Sequence, residues 1–153
     1  MKNILITIVL MTTQNIFADA NIFPGRSLDG TYDMNIQIGG QKFTDILVLK
    51  GEKSPITMSS FGGNIIGSVT VPHSFASPLS GHARCTLWGA FCDLNFDIVA
   101  HENGQSFNVH YKAQVIREDY LKMINGSLAS TLRGTAYLDN EEVLGDFVAV
   151  IRK

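Results

Sequence analysis

The stretch CTLWGAFCDLNFDIVAHENGQSFNVHYKAQVI, residues 85–116, carries the most explicit structural instructions in the chain. Leu94, Phe96, Ile98 and Ala100 alternate with Asp93, Asn95 and Asp97. Further on, Phe107, Val109, Tyr111, Ala113 and Val115 alternate with Asn108, His110, Lys112 and Gln114. A period of two gives each segment one dry face and one wet face, as in a half-buried strand. Asn103-Gly104 lies between them, and that dipeptide readily takes the two positive-φ positions of a type I′ turn. The stretch therefore predicts a β-hairpin.

The same pattern extends in both directions. Tyr32, Met34, Ile36 and Ile38 share one face of a strand opened by Gly30-Thr31 and closed by Gly39-Gly40, and Phe43 to Lys50 makes the return. Ile56 to Phe61 and Ile65 to Val71 read as two strands about a Gly62-Gly63-Asn64 turn. Residues 71–83 hold Pro72, Pro78, Gly81 and several serines, a composition that predicts a long loop. Leu121 to Ser130, Leu132 to Leu138 and Val143 to Arg152 complete the strands, with Gly145, Phe147, Ala149 and Ile151 on one face of the last. Strand segments joined by short turns predict an all-β fold, an eight-stranded antiparallel up-and-down barrel whose closure removes exposed edges; a β-sandwich is the alternative.

Residues 1–20 have the plan of a secretory signal: Lys2, an apolar run from Ile4 to Met11, and Ala18-Asp19-Ala20 as a cleavage site. The apolar character fades at Thr12, short of the ~20 residues a spanning helix needs. Residues 21–153 are then a single exported domain, periplasmic or secreted. Lys2 and Asp19 leave together, so the net charge remains −2. Basic residues are dispersed singly, which argues against nucleic acid as a partner. In an oxidising compartment the two cysteines, Cys85 and Cys92, form a disulfide across a tight hairpin. A C-x₆-C spacing is not one that zinc sites use.

The strand pattern resembles the calycins, the lipocalin-like and avidin-like barrels that include small exported bacterial domains. Lipocalins open their first strand with Gly-x-Trp, and Gly30-Thr31-Tyr32 stands in the corresponding place with tyrosine for tryptophan. The resemblance implies that Arg152, at the end of the last strand, packs over the Tyr32 ring and closes the barrel.

Catalytic and metal motifs are weak. Asp93, Asn95 and Asp97 imitate the start of a calcium loop, but Ile98 stands where such a loop needs glycine. His73, His82, His101 and His110 show no metal-ligand spacing, and the serines beside His73 and His82 lie outside any G-x-S-x-G elbow. The expectation is a non-enzymatic protein with no cofactor and no metal.

The segment from Phe75 to Phe91 is aromatic, with Arg84 its one formally charged side chain. It predicts a lid over the barrel mouth or a contact surface. Two functions follow. In the first, a small apolar ligand sits in or at the mouth, in contact with Met34, Phe75, Phe96, Tyr111 and Phe147, if Gly134, Ala136, Ala113 and Ala149 leave room inside. In the second, the disulfide-stiffened loop presents Trp88 and Phe91 to a secreted or periplasmic protein, such as a hydrolase to be inhibited.

Overall fold

The computed structural model describes residues 28–51, 60–86, 91–102, 104–116, 119 and 129–153. Eight strands follow in order: β1 Gly30–Ile38, β2 Gln41–Gly51, β3 Ser60–Val71, β4 Phe75–Thr86, β5 Phe91–Glu102, β6 Gln105–Val115, β7 Thr131–Leu138 and β8 Val143–Ile151. Each pairs antiparallel with its neighbours in sequence, and β1 pairs with β8 from Tyr32↔Ile151 to Gln37↔Asp146, so the sheet closes into a barrel. The expected barrel is present, and the sandwich is not.

Alternation decides which way each side chain faces. Met34, Leu47, Ile65, Val69, Leu94, Leu132 and Ala149 are fully buried inside, whereas Asn35, Lys50, Asn95, Lys112 and Asp146 point outward into solvent. The hairpin at the centre of the sequence forms as read: Glu102 pairs with Gln105, and Gly104 has φ +78°. Cys85 and Cys92 are directly opposite on β4 and β5, both buried, and joined by a disulfide.

The middle of the chain departs from expectation in three places. Gly62-Gly63 makes no turn. Both lie inside β3, paired with Arg84 and Ala83, where a Cβ on Gly62 would meet the Ala83 carbonyl oxygen at 2.1 Å. Gly62 marks a close approach of the paired β4 backbone. Residues 75–83 are not a loop but most of β4, a full member of the barrel. Pro78 concealed this strand, because proline cannot donate to a ladder. It is tolerated because pairing between β4 and β5 begins only at Leu79↔Ile98. Beyond that point the Ser77 hydroxyl accepts the Val99 amide proton at 3.2 Å, replacing a backbone partner. In the third place, Ala129 and Ser130 belong to no strand and β7 begins at Thr131; residues 121–128 and 52–59 lie outside the described residues.

One barrel end is sealed. Tyr32 is fully buried, and its hydroxyl lies 3.0 Å from the Leu28 carbonyl oxygen and 3.2 Å from that of Ala129, able to donate to either. Burial, then the nearby Asp29 and Asp119 carboxylates, push this phenol well above its ordinary pKa. Buried Asp119 accepts from the Ser130 amide (2.9 Å) and hydroxyl (2.6 Å) and the Thr131 amide (2.6 Å). Arg152 follows the last strand at this seam, its amide donating to the Thr31 carbonyl at 2.7 Å. Its guanidinium goes elsewhere: Nε donates to Asp33 Oδ1 at 2.7 Å on the outer surface. Tyr32 faces inward and Asp33 outward, so this pairing holds Arg152 on the opposite face of the sheet from the Tyr32 ring.

The disulfide ties two strands at this sealed end. Replacing both cysteines by alanine should lower the unfolding free energy by about 2–3 kcal/mol, given the short loop closed. Urea denaturation of the oxidised wild type and the double variant measures the difference.

Candidate functional site

The other end of the barrel is open, and the ladders show why. Pairing of β2 with β3 stops at Ile46↔Thr70, and pairing of β4 with β5 stops at Leu79↔Ile98. The tip of the β3–β4 hairpin, through the turn at Pro72 to Ser74 where His73 takes φ +63°, is therefore outside the backbone ladders to both neighbours. Between this tip and the facing strands lies a cavity of about 490 Å³.

Its walls are mostly apolar. Ile36 and Ile38 come from β1, Phe43 from β2, Val71 and Phe75 from the hairpin tip. Ile98 and Ala100 come from β5, Phe107, Val109 and Tyr111 from β6, and Leu144 from β8. Leu144 owes its place to a β-bulge: Ala136 pairs with Gly145 and Tyr137 with Val143, leaving Leu144 as the extra residue, packed toward the core. The rim carries His101, whose ring meets that of Phe75 edge-on at 6.4 Å and whose Nδ1 lies 2.9 Å from the Ser106 hydroxyl.

Below the cavity the barrel is filled. Phe96 and Tyr111 stack with ring centroids 4.7 Å apart, and Phe147 meets Tyr111 edge-on at 5.6 Å. Small residues make room for these rings and not for a ligand. A Cβ on Gly81 would come within 2.6 Å of the Phe96 Cβ, and one on Gly134 within 2.8 Å of the Phe147 ring. The interior is thus solid in its lower part and hollow at the mouth.

One group does not fit an apolar container. Asp45 occupies an inward position of β2 between Phe43 and Leu47, is 5 % exposed, and lines the cavity. Its Oδ1 is shielded from solvent and has no hydrogen-bond partner among the described residues. Burial pushes its carboxyl up to about 6. Its charge in turn helps to raise the pKa of Tyr111 across the cavity, where burial is the larger cause. A carboxylate held in this way is costly unless a donor or a cation meets it.

Of the residues expected to touch a ligand, Phe75 and Tyr111 line the cavity. Met34, Phe96 and Phe147 are core residues that do not line it. Phe75 does so from a barrel strand, not from a lid. Trp88 lies outside the described residues, and of Phe91 only the backbone, at the start of β5, is described. Thr86 and Phe91, the strand ends flanking residues 87–90, are beside the disulfide at the sealed end, away from the cavity. Asp45 escaped the sequence reading although its signal is plain: a charged residue at an inward position of the strand Phe43-x-Asp45-x-Leu47-x-Leu49.

No family model matches this chain, and no curated protein or solved structure shows significant similarity to it.

Outside the barrel, His110 on β6 is held between two carboxylates. Nδ1 lies 2.6 Å from Asp97 Oδ1 on β5 and Nε2 3.0 Å from Asp139 Oδ1 in the β7–β8 turn, while the Asn108 amide donates to both Asp139 oxygens at 3.1 Å. The hydrogen bond to Asp97, then that to Asp139, raises the imidazole pKa above 6.5. The hydrogen bond from His110 leads the causes that lower the Asp139 carboxyl.

Two pH dependences follow, of different origin. A histidine whose pKa rises on folding contributes stability that is full below its unfolded value and lost as pH rises through the folded one. The stability advantage of wild type over His110→Gln should therefore shrink as pH is raised from about 6 to about 9, read from denaturation midpoints. Asp45 acts through a penalty. Its carboxyl is raised on folding, so the cost is absent below 3.8 and complete above about 6. Asp45→Asn should raise the melting temperature at pH ~7.5, by the equivalent of at most about 3 kcal/mol, and leave it nearly unchanged at pH ~4.

Proposed function

We propose that this is an exported, non-enzymatic binding protein with a calycin-like barrel that holds a small apolar ligand at its open mouth. The observation that carries the reading is the mouth cavity. At about 490 Å³ it lies in the size range of small-molecule sites, and its apolar walls with one convergent polar group have the composition of such sites. A closed antiparallel barrel of eight strands supports the calycin likeness at the level of architecture. The disulfide and the signal-like N-terminus support export to an oxidising compartment.

A protein-contact function for Trp88 and Phe91 draws no comparable support, since the hollow part of the barrel and the strand ends flanking that segment are at opposite ends. The ligand reading rests on residues in regular strands, whose positions are fixed by ladders on at least one side.

Binding should be saturable and confined to this site. N-phenyl-1-naphthylamine, an uncharged apolar fluorophore, should gain fluorescence with one-site stoichiometry. Ala100→Trp, which projects a large ring into the cavity, should weaken this roughly tenfold or more with the β-sheet circular dichroism retained. Absence of binding by wild type, or equal binding by a folded Ala100→Trp, would falsify the proposal.

A further inference from the structure

We infer that the ligand of this cavity carries a protonated amine, so that the class of molecule it takes is amphipathic amines: an apolar body in the mouth with its ammonium group on the carboxylate of Asp45. This rests on the reading of the mouth as a ligand site and adds the chemistry that the ligand must bring.

The argument begins with the position of the charge. Asp45 is the first inward residue of β2 beyond the last rung shared with β3, where the hairpin tip, outside that ladder, leaves its carboxyl facing the cavity. A carboxylate has about four lone-pair sites and accepts only, and here Oδ1 is enclosed and unmatched. Apolar ligands alone would cover it further and leave it unpaired, at a cost in affinity. A ligand carboxylate would add a like charge beside it. An ammonium supplies three donors and the opposite charge, and its pairing is strengthened by the low-dielectric walls.

The other groups facing Asp45 are consistent with a cation. From β6 the Tyr111 ring lines the cavity, with Phe107 beside it; Phe43 and Phe75 come from β2 and β4. Aromatic faces attract a cation and do not attract an anion. β1, β3 and β8 contribute apolar side chains to the walls. The remaining titratable group there is His101 of β5, at the rim and held by Ser106. Among the described residues no lysine or arginine lines the cavity.

Linkage sets the pH response. The amine binds the ionised form of Asp45, so its affinity should fall as pH drops through the carboxyl's pKa of about 6, while an uncharged ligand is affected little or favoured.

The test compares three eight-carbon probes, octan-1-ol, n-octylammonium chloride and sodium octanoate, by calorimetric titration of the purified full chain. At pH ~7.5 octylammonium should bind roughly tenfold or more tighter than octanol, and octanoate weakest. In Asp45→Asn the preference for the amine over the alcohol should fall to within about twofold. In wild type the preference should diminish at pH ~5, and it should do so equally in His101→Gln, which separates Asp45 from protonation of the rim histidine. If octanol binds but octylammonium is no tighter, if the preference survives Asp45→Asn, or if octanoate binds best, the amine proposal is overturned and the apolar site stands. If none of the three binds, the site reading falls and takes this inference with it.

Discussion

The ladder between β1 and β8, from Tyr32↔Ile151 to Gln37↔Asp146, is the contact on which the other features depend. Without it two strands would expose unpaired backbone edges, and the inward rows of eight strands would have no common interior. With it, the alternation written along each strand encloses an apolar inside. The sealed end reinforces the seam: the buried Tyr32 hydroxyl reaches the carbonyls of Leu28 and Ala129, and Asp119 holds the amides of Ser130 and Thr131 just ahead of β7.

Closure gives a container, and packing decides how much of it is filled. Glycines at crossings let the Phe96 and Phe147 rings enter, and the Phe96–Tyr111 stack blocks the middle. Where β3 and β4 leave their neighbours there is a cavity, and the enclosed carboxylate of Asp45 lines it. Along the barrel axis, large apolar side chains fill the part toward the sealed end, and the hollow lined by the Asp45 carboxyl lies at the other.

Strand identity was legible where a period of two ran uninterrupted, as in β1, β5, β6 and β8, and the Asn103-Gly104 turn was legible from its backbone demand. The middle of the chain was not. Glycine pairs occur both in turns and within strands, and Gly39-Gly40 makes a turn while Gly62-Gly63 lies inside β3, with Gly62 close to the β4 backbone. Pro78 reads as a breaker because its tolerance depends on a ladder that stops one residue later, a tertiary fact absent from local sequence. For the same reason Phe75 was assigned to a lid. The mouth's location follows from where two ladders end, which no single strand encodes, although Asp45 at an inward position already marked β2 as unusual.

The Ser77 hydroxyl that receives the Val99 amide has a further meaning for motion. Backbone rungs hold β4 to β5 along Leu79 to Thr86, with the disulfide at their far end, but above Leu79 that side-chain hydrogen bond replaces the ladder. Protection against solvent is correspondingly graded along one strand: opening the upper part breaks one side-chain bond, whereas opening the lower part breaks a rung at every second residue and strains a covalent link. The upper part of β4 is held to β5 by side chains alone, the Ser77 hydroxyl on Val99 and the Phe75 ring edge-on to His101.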